Sequence, residues 1–359
     1  MAETVFILGA GASSEAGAPL MANFLDEAQR LSKVGGIRQD DVKLVLKART
    51  QLLMAHSNAA LDFRNLESLF AAFEMARLLG RLGTLDASEV QELPSALERV
   101  IADTLGATIT VVPEDTAIGV ETPAAYREFC ELLKEMRHEE SRGLPAVSVL
   151  TFNYDVCADH ALYAADLKPN YRLGEDRDDG VSLLKLHGSL NWGYCDKCDK
   201  VTWWSVGKQL ATRRFHQDEL EDMGSSRIPL GKFMHGAHEY VCGHHGSYTP
   251  VIVPPTYNKG HRYEALAHVW KAAADELAEA ENIYVVGFSL PPSDLFFRYF
   301  CALGMMGEAY LRRFWVFDPD PDESVERRFR SWLGQDTNQA FQMHRVKFRQ
   351  LVRTLREQA

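Results

Sequence analysis

A chain of 359 residues with 46% hydrophobic and 10% aromatic content can bury a sizeable core, as one large α/β domain with insertions or as two domains, and is not a disordered polypeptide. Its net charge of −11, from 39 basic and 50 acidic side chains, disfavours nucleic acid or an anionic membrane as the main partner. No apolar run approaches the ~20 residues of a membrane span, no leader peptide is legible, and six cysteines over this length do not suggest a disulfide scaffold, so a cytoplasmic protein is expected.

The chain opens on an apolar, β-branched run, Thr4–Leu8, of the kind buried on both faces of a parallel sheet. Gly9-Ala10-Gly11 then predicts a tight turn, with Ser13 and Ser14 as N-caps of the next helix. Strand, glycine turn and helix start together make a pyrophosphate-binding geometry, although Ser14 stands where a G-x-G-x-x-G fingerprint has its third glycine. A structural tight turn accounts for a bare G-x-G as well. Ala18–Ser32 reads as helix, Lys33–Gly36 as a break, and the span from Gln39 to about Arg142 as mostly helical. That span is too long for one crossover helix and is read as a helical insertion.

Further strands are expected at Val147–Phe152, Val181–Leu186, Val251–Val253, Asn282–Gly287 and Phe314–Phe317. Helices are expected at Tyr263–Ala278, Phe296–Met305 and Ser324–Leu333, and the basic tail from Gln339 has no assignment. The alternation predicts a doubly wound parallel, Rossmann-like sheet, with residues 1–32, 144–190 and 249–335 as core. Residues 33–143 are then the helical insertion, 191–248 a small zinc module and 336–359 a C-terminal tail.

The zinc module rests on two ligand pairs, Cys195-x-x-Cys198 and Cys242-x-x-His245, with His244 beside the second. The 43 residues between the pairs exceed a usual ribbon spacing, so the chain must loop back. Four protein ligands would close such a site and make it structural. Reduced thiols and imidazoles without metal are the alternative. Cys130, Cys157 and Cys301 lie in apolar helical contexts and read as core.

Asn153, Asp155, His187, Ser189, Ser289 and Asp318 all fall just past strand ends, on the edge that carries the glycine loop. Each alone also serves as a cap, a turn residue or a core histidine; together they mark a ligand crevice. The chemistry they suit is an N-glycosidic bond. Cleaving nicotinamide from NAD passes through an oxocarbenium-like ribose, and needs an amide or carboxylate to orient water and a base near the ribose, roles open to Asn153 and His187.

At these residues the chain resembles the sirtuin-like family. Gly9-Ala10-Gly11-x-Ser13-x-x-Ala16-Gly17-x-Pro19 is similar to its opening NAD loop, and Thr151-Phe152-Asn153-Tyr154-Asp155 to its T-Q-N-I-D segment. Leu186-His187-Gly188 resembles its L-H-G segment, the two ligand pairs its zinc module, and Gly287-Phe288-Ser289-Leu290 its G-T-S-L turn. The motifs keep the family's order from Val5 to about Asp318. Two departures stand out: Leu20-Met21-Ala22 replaces Asp-Phe-Arg, and Val251-Ile252-Val253-Pro254-Pro255 replaces the F-G-E segment that clamps an acyl-lysine peptide. The latter pattern, with Val285-Val286-Gly287-Phe288-Ser289-Leu290-Pro291-Pro292-Ser293-Asp294 and Arg298, looks more like the bacterial anti-phage branch, whose members hydrolyse NAD itself.

The resemblance implies Asn153 on the ribose or attacking water, His187 as base at the ribose and Asp155 on the nicotinamide amide. It implies Gly9, Ala10, Gly11 and Ser13 at the pyrophosphate, Gly287 and Ser289 on the phosphate or ribose side, and Asp318 on the adenine ribose. It makes Cys195, Cys198, Cys242 and His244 or His245 zinc ligands, with His245 preferred. The expected activity is NAD glycohydrolysis in anti-phage defence. Regulation by homo-oligomeric assembly or by a partner such as a helicase-type ATPase is also expected, since no separate sensor domain is legible. An NAD-dependent protein deacylase and a non-catalytic NAD or ADP-ribose module are the alternatives.

Overall fold

The computed structural model describes residues 3–55, 63, 65–113, 120–140, 147–174, 180–195, 197–198, 200–205, 228–229, 249–253, 264–292, 294–307 and 309–358. The chain begins with β1 (Thr4–Leu8), α1 (Ala10–Ser14), α2 (Phe24–Lys33), α3 (Gln39–Ala55), α4 (Leu66–Leu79) and α5 (Ala87–Thr108). There follow β2 (Thr110–Pro113), β3 (Val120–Glu121), α6 (Ala124–Glu140), β4 (Val147–Thr151), α7 (Cys157–Ala164), β5 (Pro169–Asn170) and β6 (Val181–Lys185). Next come β7 (Gly188–Cys195), β8 (Lys200–Trp203), β9 (Ile228–Pro229), β10 (Thr249–Ile252), α8 (Ala267–Ala278), β11 (Asn282–Val286) and α9 (Leu295–Gly304). The described chain ends with β12 (Arg313–Phe317), α10 (Ser324–Trp332), α11 (Gln335–Ala340), β13 (Phe341–His344) and α12 (Phe348–Gln358).

Seven strands form one sheet in the order β13-β12-β11-β1-β4-β6-β5, and every pairing in it is parallel. In β1, β4, β6 and β11 all residues are buried, which successive side chains on opposite faces allow only when both faces are covered. The chain runs from β1 outward through β4 to β6 and then returns to lay β11 on the other side of β1. This reversal makes a topological switch point, where an open α/β sheet leaves a crevice at the carboxyl ends of its strands.

The expected Rossmann-like sheet is therefore present. The tail, unassigned from sequence, supplies its edge: β13 pairs with β12, and α12 packs on α6 through Phe348, whose ring lies 5.0 Å from Tyr126 and 5.4 Å from Phe129. Phe129 meets Phe6 of β1 edge-on at 5.0 Å, so α6 and α12 together cover the central strand. The helices read from the insertion are present as α3 to α6. α5 begins with a capping box, Asp86 accepting from Glu89 N–H while the Glu89 side chain accepts from Asp86 N–H. Two small antiparallel sheets, β10-β7-β8 and β3-β2-β9, complete the described structure.

Candidate active site at the strand ends

The glycine turn is shorter than its sequence suggests. α1 starts at Ala10 with Gly9 as its N-cap, so Ser13 and Ser14 lie inside the helix and cap nothing. Gly9 and Gly11 N–H donate to Val286 O (2.9 Å) and Gly287 O (2.8 Å), the end of the neighbouring strand β11. A Cβ on Gly9 would lie 2.6 Å from Gly287 O, and one on Gly11 2.8 Å from Gly287 Cα. The glycines thus permit two loops to pack backbone against backbone. Gly287 sits at φ +60°, where only glycine is unstrained, and buried Leu290 follows at φ +48°.

Ser13 instead binds across the crevice. Its hydroxyl is buried, 2.7 Å from Tyr126 Oη of α6, and accepts from Asn153 Nδ2 at 3.2 Å. Asn153 Nδ2 also donates to Gly9 O at 2.8 Å. Burial pushes the Tyr126 phenol well above its ordinary pKa, so it stays protonated as a partner for Ser13. Asn153 is delivered by the end of β4, where Thr151 Oγ1 donates to Leu8 O and accepts from Asn153 N–H. With both amide hydrogens fixed on the glycine loop, the half-buried side chain turns Oδ1 elsewhere, and no described residue donates to it.

His187 follows β6 and is 6% exposed. Its ring packs edge-on to Phe152 at 5.0 Å and lies 6.0 Å from Tyr154 and 6.4 Å from Trp270 of α8. Gly188, at φ +86°, turns the chain into β7; a Cβ there would lie 2.1 Å from Val251 O. The aromatic wall continues through Phe288, stacked on Phe152 at 5.2 Å, and Phe297, 4.5 Å from Phe288 and 5.1 Å from Phe152.

Asp155 precedes α7, whose N-cap is Val156; its Oδ1 accepts from Cys157 N–H at 2.9 Å, and the Cys157 thiol bonds to its carboxylate. Beneath it lies a buried polar network that sequence reading missed. Lys185 Nζ donates to Asp159 Oδ2 at 2.8 Å and to the Asp155 carbonyl. Tyr171 donates to Asp159 Oδ1, and Asn191 to Tyr171 Oη and Trp204 O. Ser189 joins through Asn191 and the Tyr154 carbonyl.

On the far side of β1, Ser289 is exposed and its carbonyl accepts from Arg328 Nε at 2.8 Å. Asp318, at the end of β12, is half-buried; burial raises its carboxyl, and Oδ1 accepts from Asp320 N–H. Asp320 is the residue that caps α10, through Val325 and Glu326 N–H. The order along the sheet edge is Asp318, Gly287–Ser289, Gly9–Ser13, Asn153–Asp155, His187. At about 4.8 Å per strand step this row spans roughly 19 Å, a length for a dinucleotide and not for one nucleotide.

Cys130, Cys157 and Cys301 are buried as expected. Cys195 and Cys198 fall in the β7–β8 hairpin, with Cys195 opposite Lys200, and neither is in a disulfide. Cys242, His244 and His245 lie outside the described residues, and among the described residues no three candidate ligands converge. β10 pairs with β7 and places Thr249 opposite Tyr194, so the chain does come back beside Cys195. No helix among the described residues is long and apolar enough to cross a membrane.

No protein-family model matches the chain, and no curated protein does. Among solved structures it is similar to a Sir2 homologue in complex with NAD, at 14% identity and TM-score 0.43, over 99% of this chain and 90% of that one. It is similar to Sir2Tm bound to a propionylated peptide, at 14% identity and TM-score 0.36 over 99% and 92%. A Sir2 homologue variant with ADP-ribose matches at 13% and 0.39 over 99% and 93%.

Proposed function

We propose that the chain is a sirtuin-like NAD glycohydrolase, releasing nicotinamide and ADP-ribose. The observation that carries this reading is the Asn153 bridge. One amide ties the glycine loop of β1 to the end of β4, beside His187 on β6, at the switch point of a parallel sheet. In this reading the row from Asp318 to His187 takes the dinucleotide lengthwise. Asp318 meets the adenine ribose, the Gly9–Ser13 and Gly287–Ser289 turns flank the pyrophosphate, and the nicotinamide ribose lies between Asn153 and His187.

The bond that breaks joins the nicotinamide ring nitrogen to ribose C1′. The ring nitrogen takes the electron pair and leaves neutral. Asn153 Oδ1 accepts from the attacking water and aims its oxygen at C1′. His187 takes up the released proton at the ribose. Its aromatic surroundings keep bulk water from the oxocarbenium-like centre.

Hydrolysis is favoured over peptide deacylation by Val253. Its N–H donates to His187 O (2.9 Å) and its carbonyl accepts from Tyr154 Oη (3.3 Å). The N–H and carbonyl of Val253, of the kind a peptide-clamping strand would offer an acyl-lysine substrate, are thus engaged within the chain. The hairpin thiols Cys195 and Cys198, with the return of β10 beside them, suit a structural zinc completed by Cys242 and His245, and zinc there would fix the hairpin. The defence role, the cytoplasmic setting, the division into core, insertion and zinc module, homo-oligomeric assembly and a helicase-type ATPase partner belong to the same reading and rest on the sequence resemblance. The test is nicotinamide release from NAD by the purified chain, with and without added partner, beside Asn153→Ala and His187→Ala. Release lost in both variants is expected; release unchanged in either refutes the assigned site.

A further inference from the structure

The turn after β11 ends in a carboxylate that no step above uses. Asp294 is 1% exposed and caps α9, its Oδ1 accepting from Phe297 N–H at 2.8 Å, while its own N–H donates to Pro291 O. The second oxygen, Oδ2, is fully buried and has no hydrogen-bond partner among the described residues. One helical turn on, Arg298 Nε is also buried and also without a hydrogen-bond partner among the described residues. The two side chains feel each other's charge, yet they form no ion pair within 4.0 Å among the described residues. A buried acceptor and a buried donor without partners are each costly to leave uncompleted, so the two atoms, one helical turn apart, mark a place where a ligand's own polar groups can complete them.

The pair borders the aromatic wall of the crevice. Phe297, between the two residues in sequence, touches Phe152 and Phe288; the Tyr154 phenol is pushed up mainly by burial, with Glu67, Glu98 and Asp294 adding to it, so Asp294 lies within electrostatic reach of that ring. Tyr154 and Phe152 are two of the rings beside His187. A ligand group that completes both atoms must donate to a carboxylate and accept from a guanidinium, and the neighbouring rings of Phe152, Phe288 and Phe297 suit a group carried on a flat aromatic ring. A phosphate offers no donor and is repelled by Asp294. A primary carboxamide on an aromatic ring offers both groups and is neutral. Asp155, the carboxylate that the sequence resemblance assigns to this task, is engaged by the start of α7.

Resting on the NAD reading, we propose that Asp294 and Arg298 form the specificity pair for the ligand's carboxamide, whose N–H2 donates to Asp294 Oδ2 and whose carbonyl accepts from Arg298 Nε. A carboxylate in place of the carboxamide loses the donor and sets a negative charge against Asp294, so the pair rejects the acid analogue.

The test is calorimetric titration of the full chain carrying Asn153→Ala, so that ligands are not cleaved, with NAD, nicotinic acid adenine dinucleotide and ADP-ribose. The parent is expected to prefer NAD over the acid analogue by about tenfold or more. Adding Asp294→Asn, which keeps an N-cap acceptor, or Arg298→Met should remove most of that preference and leave ADP-ribose affinity within about twofold. A preference unchanged in both variants, with NAD and ADP-ribose still bound, overturns the pair alone and means that the buried atoms are completed by water. Absence of binding by both NAD and ADP-ribose overturns the NAD reading and the pair with it.

Discussion

Two oppositely charged pairs lie beside this crevice, one wholly buried and one with a half-buried arginine, and they differ in how completely they are satisfied. Lys185 and Asp159, 0% and 2% exposed, make a 2.8 Å ion pair, and both lean on further partners, the Asp155 carbonyl and Tyr171. Asp294 and Arg298 feel each other's charge but form no ion pair among the described residues, and each has a buried atom without a hydrogen-bond partner there. Desolvated charges persist in a fold when geometry saturates them, as in the first pair. The second keeps hydrogen-bonding capacity in reserve, which is the property a binding site needs and a structural strut does not.

The sharpest break of this comparison is Lys185→Met. It strands Asp159 in the interior and should cost about 3–5 kcal/mol in urea unfolding. Asn153→Ala should do the reverse, lowering nicotinamide release at least about 100-fold while costing only about 1 kcal/mol of stability. The third prediction concerns pH. Burial pushes the Asp294 carboxyl up to about 6, well above an unfolded aspartate. The folded state therefore binds an extra proton between these values. The stabilisation by protonated Asp294 is complete below the unfolded pKa near 4 and is lost as pH rises through about 6. Wild-type protein should lose roughly 2–3 kcal/mol across that window relative to Asp294→Asn, so the variant should be no less stable than wild type at pH 8. The smallest effect is Tyr126→Phe, which leaves Ser13 with Asn153 alone and should cost about 1 kcal/mol, read as a small drop in thermal midpoint.

The parts of the molecule that were legible in sequence are those where local pattern and final environment coincide. β1, β4, β6, β11 and β12 are buried in a parallel sheet and read as apolar runs. Asn153, His187 and Asp318 follow those runs directly, which places them at strand ends once the strands are known. β13 was not legible, because Phe341-Gln342-Met343-His344 is a short edge strand with a polar residue inside it. β7 was hidden for another reason: its Ser189 and Asn191 are polar yet fully buried, satisfied by each other and by Tyr171 and Trp204, which follow β5 and β8. Tyr126 reads as helix core and meets Ser13 across 113 residues of sequence. Lys185 and Asp159 look like solvated charges in isolation, and Asp294 and Arg298 stand out in sequence only as members of a motif; tertiary packing reveals which of their atoms are buried. Ser13 shows the converse failure, since its cap-like context suggested a role that Gly9 fills.

The most direct measurement is product analysis after incubating the purified chain with NAD in oxygen-18 water, with no acyl peptide present. The account predicts nicotinamide and ADP-ribose in equal amounts, with one label in the ADP-ribose, and neither product from His187→Ala. Nicotinamide released only when an acyl-lysine peptide is added, or none released while NAD is bound, would contradict it.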